Sequence, residues 1–352
     1  KDSLLFSGAS LPMKLKILSF NWHEPYLCLL ARTGHEFLIV EPEIAPGHYR
    51  RWDENMRPVP QNVRLISQKI AEEMLELGEL DLIIAHNIKD LIVVKDYSLP
   101  KIAVFHNCLT TEIKLGKDKV NRKEYLDQVD FLLKDVHKVF ISEKKRQDWG
   151  LTGELIRPGL DVSEYGGYLG DRETVLQVGN LLQERDLMMG YSISQQIVGC
   201  HPLTTLGLNP NIPGSRLSEG FQDLLENFRG SRVFINTTVD EYEDGYNLSM
   251  LEAMATGMPV VSSWNKSSPI EDGKNGYISK DLDYLNQRIE SLLKNPEEAR
   301  RLGEQAQKTV QEKFPLNRFL QSWQKAIEKS VLDFLHRTGI NLQKEAIPFQ
   351  EK

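Results

Sequence analysis

The chain has few of the features that mark secreted, membrane-spanning or nucleic-acid-binding proteins. Its three cysteines, at positions 28, 108 and 200 of 352, are far apart and lack metal-ligand spacing. No apolar run approaches the ~20 residues needed to span a bilayer, and no secretory signal is visible. The net charge is −7, and the first 160 residues carry none of it, which argues against a general nucleic-acid binder.

These absences favour a reducing, cytoplasmic environment. Three Asn-x-Ser/Thr triplets begin at Asn236, Asn247 and Asn265, beside the candidate site described below, where glycans would block it. Two basic clusters, Arg50-Arg51 and Lys144-Lys145-Arg146, are interpreted as solvated surface. Contact of these clusters with lipid headgroups is the alternative, so a peripheral position at the inner face of a membrane stays open.

The length and the pattern of short apolar runs indicate two α/β domains. A chain of 352 residues exceeds what one core usually holds. Residues 1–12 show no periodicity, and Met13 is a plausible natural start. Short apolar strands then alternate with helices, which predicts a parallel sheet covered on both faces. The first domain is assigned to residues 13–158, with strands predicted at 17–20, 37–40, 82–85, 102–105 and 139–141 and a helix at 26–31.

The same alternation restarts after a stretch at 161–171 that we interpret as a linker. The second domain is assigned to residues 171–315, with strands predicted at 175–178, 203–206, 233–236 and 260–262, helices at 187–198 and 221–228, and a last short strand after residue 276. Asn295-Pro296 is a strong helix start. The final helix, 316–338, has one apolar face that must be buried.

The most informative stretch lies between the strands predicted at 233–236 and 260–262. Leu248 to Thr256 favours a helix, Gly257 suits the position after its end, and Pro259 prevents continuation. The turn Gly245-Tyr246-Asn247 therefore opens a helix just beyond a buried strand. Free N–H groups and the positive end of the helix dipole can receive an anion such as a diphosphate there.

This stretch resembles a motif of glycosyltransferase family 4, retaining sugar transferases with the GT-B fold. The family motif is an acidic residue, Gly, an aromatic residue, five residues, and Glu-Ala-Met-Ala-x-Gly-x-Pro-Val-Val, matched here from Asp244 to Val261. Family members usually have Glu at the position of Asp244 and often Gly at that of Asn247. The resemblance implies that Asp244 faces the transferred sugar and that Glu252 accepts hydrogen bonds from ribose hydroxyls. The diphosphate contacts it implies come from Gly245, Tyr246, Asn247 and Leu248.

A second landmark of the family lies after the first strand of the second domain. Relatives have Gly-Arg there, with a Lys five residues after the Arg, whereas this chain has Gly179-Asn180 and Arg185. A guanidinium can bind two phosphate oxygens of a leaving nucleoside diphosphate. We therefore expect Gly179, Asn180 and Arg185 to bind the donor and Arg185 to assist catalysis. A surface salt bridge of Arg185 with Glu184 or Asp186 is the alternative.

Two histidines follow predicted strands of the first domain, at the edge where ligands bind in open α/β sheets. The family often has a His at the position of His106, beside the reacting sugar, so we assign His106 a catalytic role. His86 matches less specifically. The turn after the first strand lacks the Gly-Gly of many relatives, and we place Trp22, His23 and His86 near the acceptor.

Two further segments have a composition that suits a binding site. Pro46 to Trp52 is polar, aromatic and basic, as a sugar- or phosphate-binding loop can be, and an exposed loop explains it equally. Asp281-Leu282-Asp283 mimics the acid-x-acid metal signature of other sugar transferases, and capping of the next helix explains it. No His/Cys ligand cluster is present, so we expect no metal and no cofactor.

The pattern of strands and helices predicts two α/β domains, and the resemblance implies the GT-B fold, in which two Rossmann-like domains face a cleft. The resemblance implies a metal-independent, retaining hexosyltransferase that moves a sugar from a nucleotide donor, UDP being favoured, to an acceptor hydroxyl. The acceptor would be a sugar, a lipid-linked group or a small molecule in glycan, glycolipid or glycoconjugate biosynthesis. Two alternatives stay open: a nucleotide-sugar epimerase of the same fold, and a non-catalytic subunit that binds a nucleotide sugar.

Overall fold

The first half of the chain forms a seven-stranded parallel sheet. The structure, a computed structural model, describes residues 14–41 and 51–339, so Met13 and the segment from Pro46 to Arg50 lie outside the described residues. The central strands are short apolar runs buried on both faces, as expected when helices cover both sides of a sheet, and the edge strands are less buried. They are β1 (Lys16–Phe20), β2 (Glu36–Glu41), β3 (Val63–Ser67), β4 (Leu82–Ala85), β5 (Lys101–Phe105), β6 (His137–Phe140) and β7 (Glu154–Leu155).

The order of these strands defines where a ligand can bind. They are arranged β3-β2-β1-β4-β5-β6-β7, the order of a Rossmann sheet with an added edge strand. The order reverses between β1 and β4, and the crevice beyond their carboxyl ends is the expected ligand position. The connecting helices are α1 (Glu24–Ala31), α2 (Gln68–Glu76), α3 (Ile88–Val94), α4 (Leu109–Leu115), α5 (Arg122–Leu133) and α6 (Glu143–Trp149).

The second half forms a five-stranded parallel sheet in the order β12-β11-β10-β8-β9, which reverses between β8 and β10. This is the other common doubly wound order. Its strands are β8 (Arg172–Val178), β9 (Leu203–Leu206), β10 (Ser231–Asn236), β11 (Val260–Ser263) and β12 (Gly276–Ser279). Its helices are α7 (Asp186–Met189), α8 (Tyr191–Val198), α9 (Phe221–Gly230), α10 (Leu248–Thr256), α11 (Leu282–Lys294) and α12 (Pro296–Lys313).

The last helix, α13 (Leu316–Thr338), joins the second half of the chain back to the first. It packs against β5 and β6, and Gln324 Nε2 donates to Thr33 O at 2.9 Å. Most of its apolar side chains are buried, with Phe319 and Trp323 among the largest buried side chains of the molecule. The two sheets are thus connected both by the segment after β7 and by a returning helix.

Four local features differ from the sequence-based expectations, and one of them is the two-residue edge strand β7, which is not among the predicted strands. The edge strand β3 was not predicted, because Arg64 interrupts its short apolar run. The helix expected over 187–198 is two helices that meet at Gly190, whose φ is +62° and where a Cβ would lie 2.0 Å from Thr237 O. The stretch interpreted as a linker contains a short 3-10 turn, Val162–Glu164, followed by Tyr165, which is buried.

Candidate active site

Helix α10 begins at the point where the order of the second sheet reverses. Asn247 caps it, with its side chain accepting from the Met250 N–H at 2.9 Å, and Gly257 ends it in the left-handed conformation at φ +94°. Gly245 precedes the cap where a Cβ would lie 2.4 Å from Ser268 N, so only glycine fits. The cap uses one first-turn donor, and helix geometry leaves the N–H groups of Leu248 and Ser249 for another acceptor. This helix start can bind an anion.

Asp244 lies just before this helix and is 1% exposed. Both of its oxygens bind groups of the first domain: Oδ1 accepts from Ser142 Oγ at 2.7 Å, and Oδ2 is ion-paired with Lys145 Nζ. The neighbouring Glu243 also binds Lys145 Nζ, at 2.5 Å. The carboxylate expected to face a sugar is therefore held from the opposite domain.

This arrangement corrects the interpretation of the basic cluster at 144–146. Lys145 is 1% exposed and forms two ion pairs, so it is neither solvated surface nor available to lipid headgroups. The adjacent Lys144 forms an ion pair with Asp240 at 3.3 Å across the same interface. Arg146 is the member that fits a surface residue, paired with Glu143 one turn earlier on α6.

Glu252, inside α10, is buried and bound to two residues that the sequence patterns did not reveal. Arg57 forms an ion pair with Glu252 Oε1, and Tyr165 Oη donates to the same oxygen at 2.9 Å. The Arg57 guanidinium also stacks 4.1 Å above the ring of Phe221. Arg57 follows β2 in a segment without a motif, and Tyr165 lies in the supposed linker, so no local signal pointed to either.

On the first domain, His86 and His106 form a hydrogen-bonded chain that starts at β1. The Ser19 hydroxyl donates to Ile84 O, lies 2.9 Å from His86 Nε2, and has no second hydrogen to give. His86 Nε2–H is therefore the donor to Ser19, and His86 Nδ1, 2.9 Å from His106 Nε2, is the acceptor. This assigns the proton of His106 to Nε2 and leaves its Nδ1 as a hydrogen-bond acceptor.

Both imidazoles are neutral near pH 7. Burial lowers the pKa of His86 to about 3, and burial, with smaller contributions from the neighbouring His86, His23 and Lys145, holds the pKa of His106 well below its ordinary value. Trp22 stacks on the His106 ring at a centroid distance of 5.9 Å, and Tyr26 contacts it edge-on at 4.8 Å. The ring of His106 is thus fixed in orientation and cannot act as a general acid at neutral pH.

Arg185 lies at the start of α7, where its guanidinium donates to Asn180 O at 3.5 Å. Burial lowers its pKa, and the charge of Glu243 opposes that shift. The alternative of a surface salt bridge is not supported, because Glu184 binds Asn211 and Asp186 binds Ser192. Glu243 thus interacts electrostatically with Arg185 of its own domain and forms an ion pair with Lys145 of the other.

Gly179 and Asn180 connect the loop after β8 to the loop after β9. Asn180 Oδ1 accepts from the Leu208 N–H at 2.8 Å, and Gly179 O accepts from Asn209 Nδ2 at 2.8 Å. A Cβ at Gly207, whose φ is +126°, would lie 2.2 Å from Gly179 O. The side chain of Asn180 thus shapes the site wall, and the positive charge that relatives place there is missing.

A small cavity opens next to the histidine pair on the first domain. Its lining includes His86, His106, Asn107, Glu112 and Trp149. Asn107 Nδ2 donates to Glu112 Oε1 at 2.6 Å, and burial raises the pKa of Glu112. The cavity combines hydrogen-bonding groups with an aromatic wall, a composition that suits a hydroxylated ligand.

Neither a metal cluster nor a membrane helix is found in the described part of the chain. Within residues 14–41 and 51–339, no group of three or more His, Cys, Asp or Glu side chains is placed to hold a metal ion. Asp281 caps α11, accepting from the Asp283 and Tyr284 N–H groups at 3.0 and 3.1 Å. In the same ranges, no helix has the length and apolarity required to cross a bilayer.

Sequence comparison relates the second half of the chain to sugar transferases. Residues 196–295 match the family model Glycosyl transferases group 1. Over 84 residues the chain is 36% identical to spore coat protein SA of Bacillus subtilis (strain 168), which is 22% of either chain. Over 105 residues it is 31% identical to poly(glycerol-phosphate) alpha-glucosyltransferase of the same organism, covering 28% of this chain and 15% of that protein. These matches span less than a quarter of the curated relatives' length.

Structural comparison covers most of the chain. The complex of Anabaena HepE with UDP-glucose matches with a TM-score of 0.64 and 16% identity, over 90% of this chain and all of that one. Sucrose-phosphate synthase from Thermosynechococcus elongatus matches with a TM-score of 0.64 and 14% identity, over 90% and 99%. The chain therefore has the GT-B fold predicted from its sequence, and its residues 196–295 match the group 1 glycosyl transferases.

Proposed function

We propose that this protein is a retaining, metal-independent glycosyltransferase that moves a sugar from a nucleoside diphosphate donor, UDP being favoured, to an acceptor hydroxyl. One observation carries the proposal: the loops that follow the carboxyl ends of the strands in the two sheets contact each other at the domain interface. The start of α10, with Asp244 and Glu252, lies where the second sheet reverses, and the His86–His106 pair lies where the first sheet reverses. Ligands of open α/β sheets bind at such positions.

The donor would occupy the second domain. The N–H groups at the start of α10 and the guanidinium of Arg185 would bind the diphosphate, whose negative charge grows as the sugar bond breaks. Glu252 would exchange its contact with Arg57 for the two ribose hydroxyls, and Asp244 would accept from a hydroxyl of the sugar. The complexes of HepE with UDP-glucose and with UDP and glucose support this class of ligand by analogy of fold.

The acceptor would approach from the first domain, beside Trp22, His23 and the cavity next to His86. In the proposed step the acceptor oxygen forms a bond to the anomeric carbon while the bond to the phosphate oxygen breaks. The acceptor proton passes to that phosphate oxygen on the same face of the sugar. Such a route needs no strong side-chain base, which agrees with the lowered pKa of His106. His106 would instead accept a hydrogen bond at Nδ1 and orient the sugar.

The biological setting is part of the proposal. We infer a cytoplasmic protein that acts in glycan, glycolipid or glycoconjugate biosynthesis, with a sugar, lipid-linked or small-molecule acceptor, in peripheral contact with the membrane where the acceptor is lipid-linked. The similarity of one segment to poly(glycerol-phosphate) alpha-glucosyltransferase and to poly(ribitol-phosphate) alpha-N-acetylglucosaminyltransferase of Staphylococcus aureus (strain COL) supports a place in glycan or glycoconjugate biosynthesis.

Calorimetric titration with UDP, GDP and ADP tests donor binding. Glu252→Gln should weaken UDP binding about tenfold and 2′-deoxy-UDP binding much less, because its carboxylate is assigned to the ribose hydroxyls. Arg185→Met should weaken UDP binding and leave the weaker uridine binding unchanged. The exposed α12 variants Glu304→Gln and Arg301→Met are the matched controls. Absence of binding of all three nucleotides to the wild type would refute the proposal.

Product analysis by NMR tests the reaction itself. Incubation of UDP-glucose with the protein and water as acceptor should release the α-anomer of glucose first, as retention requires. Release of the β-anomer first would contradict the retaining assignment. An epimerised nucleotide sugar in place of free sugar would favour the epimerase, and nucleotide-sugar binding without any product over a broad acceptor panel would favour the non-catalytic subunit.

A further inference from the structure

Lys145 is a buried cation at the junction of the two domains. It is not among the residues to which the proposed function gives a role. It lies on α6, whose cap Ser142 accepts from the Lys145 N–H at 3.2 Å. The same Ser142 hydroxyl binds Asp244 Oδ1 at 2.7 Å. One serine therefore fixes the start of α6 and the carboxylate together, and the lysine side chain is directed to that carboxylate by its position on the helix.

The hydrogen-bonding capacity of Lys145 is only partly used. Its ammonium has three hydrogens, and within the described residues its acceptors are Asp244 Oδ2 and Glu243 Oε1. The two carboxylates outweigh the effect of burial and raise its pKa, so it stays protonated and does not act as a base. The third hydrogen belongs to a side chain that is 1% exposed, next to the acid expected to meet the sugar.

We propose that Lys145 is a sugar-binding residue supplied by the first domain, and that Lys145 and Asp244 together bind one hydroxyl of the donor sugar. A hydroxyl both donates and accepts, and the pair offers one group for each: the ammonium donates to the hydroxyl oxygen, and the carboxylate accepts the hydroxyl hydrogen. The inference rests on the proposed function, because it takes the sugar to lie against Asp244.

The position of Lys145 links sugar recognition to contact between the domains. Arg185 and the start of α10 belong to the second domain, which can bind the nucleotide part alone. Lys145 follows β6 of the first domain and reaches Asp244 only while the two domains are in contact. The nucleotide is therefore recognised by one domain, and the sugar is recognised by both.

The ratio of the dissociation constant of UDP to that of UDP-glucose, measured by calorimetry, tests this role. Lys145→Met should lower the ratio about tenfold or more, because it removes a charge-assisted hydrogen bond to the sugar and leaves the contacts to UDP in place. Lys144→Met is the matched control, since it breaks the neighbouring ion pair with Asp240 across the same interface. It should leave the ratio unchanged. UDP-N-acetylglucosamine is the second probe.

The double variant Lys145→Met/Asp244→Asn tests whether the two side chains bind the same hydroxyl. If both side chains bind the same hydroxyl, the double variant should lower the ratio no more than the larger single effect. Additive effects would assign the two residues to different groups. Lys145→Gln, which keeps a neutral donor, replaces Lys145→Met should the latter fail to fold.

The possible failures are distinguishable. A wild type that binds none of UDP, UDP-glucose and UDP-N-acetylglucosamine refutes the proposed function. A wild type that binds them, with ratios that Lys145→Met and Lys145→Gln leave unchanged for both sugars, refutes only the role of Lys145. A loss of affinity that is equal for UDP and both sugar nucleotides makes Lys145 a structural residue.

Discussion

The two buried acids of the candidate site are each neutralised by a cation from the first domain. Arg57 pairs with Glu252, and Lys145 pairs with Asp244. A buried carboxylate without a partner is unfavourable by several kcal/mol, so these contacts hold the ligand-free site together. Under the proposed function, ribose hydroxyls would take the place of Arg57 at Glu252, and the affinity for the donor would reflect the competition between these two partners.

The burial of His86 predicts how the free energy of unfolding depends on pH. The pKa of His86 is about 3 in the folded protein and about 6.5 in an unfolded chain. Between these values the unfolded chain binds the extra proton, so stability is lost as the pH falls from about 6.5 toward 3, at about 1.4 kcal/mol per pH unit. In urea unfolding, His86→Gln should lose less stability than the wild type on acidification from pH 6 to pH 4.

The comparison with His86→Gln is needed because a neighbouring group acts in the opposite direction. Asp90 accepts from the His86 backbone N–H, and burial raises its pKa to about 7. The folded state therefore holds the Asp90 proton between about pH 4 and 7, and that contribution is lost as the pH rises. Taking the difference between the two proteins removes the Asp90 contribution. Parallel curves for both proteins would show that His86 is not buried as a neutral side chain.

At the scale of the elements, helix α10 is supported from behind by α12 through two glycines. Gly303 lies in α12 where a Cβ would be 1.8 Å from Gly257 O, the residue that ends α10. Gly303→Ala would gain up to ~1 kcal/mol in helix propensity. The clash is with a backbone oxygen that cannot rotate away, and overpacking of this kind costs about 1–3 kcal/mol or more. We therefore expect a net loss of stability in urea unfolding.

Gly303→Ala should also displace the start of α10 and weaken UDP binding, although the residue touches no ligand. Gln305→Ala, two residues along the same helix and exposed, is the control and should change stability by less than about 0.5 kcal/mol. Unchanged stability and UDP affinity in Gly303→Ala would show that the two helices are separated more widely in solution.

The sequence predicted the bounds of helices and strands better than it predicted the contacts between residues that are distant in the chain. The bounds of α10 follow from Leu248, Gly257 and Pro259, because caps and breakers act within a few residues. The break at Gly190 was missed, because its cause is the approach of Thr237 O from a distant loop. The burial of Lys145 was missed for the same reason, since its partner Asp244 is 99 residues away. Only tertiary contacts distinguish a buried lysine from a solvated one.

At the scale of the whole molecule, the returning helix α13 makes the two domains depend on each other. It is encoded after the second domain, yet its apolar face packs on β5 and β6 of the first. Leu160, just after the first domain, also pairs with the backbone around Pro315 at the start of α13. The first domain therefore buries part of its core against the last helix, and two chain crossings connect the domains.

Trp323 is the residue at which this dependence can be measured. It is fully buried, and its ring contacts Phe319, which in turn contacts Tyr26 of α1 edge-on. Trp323→Ala should reduce stability by about 3–5 kcal/mol, the usual effect of removing a large buried aromatic side chain. The lost packing lies in the first domain, so the variant should destabilise that domain more than the second. Calorimetry should therefore show the unfolding transition of the first domain at a lower temperature, separate from that of the second domain.

Trp264→Ala is the matched control, since Trp264 is 40% exposed with Lys280 4.1 Å above its ring. It should leave a single transition near the wild-type temperature.

In Trp323→Ala the second domain should still bind UDP at temperatures above the unfolding transition of the first domain, because the assigned diphosphate and ribose contacts all come from the second domain. It should lose any preference for UDP-glucose over UDP, since Lys145 is then absent from Asp244. A single transition for Trp323→Ala, shifted as a whole, would instead show that the domains unfold together and that α13 is one of several equivalent connections.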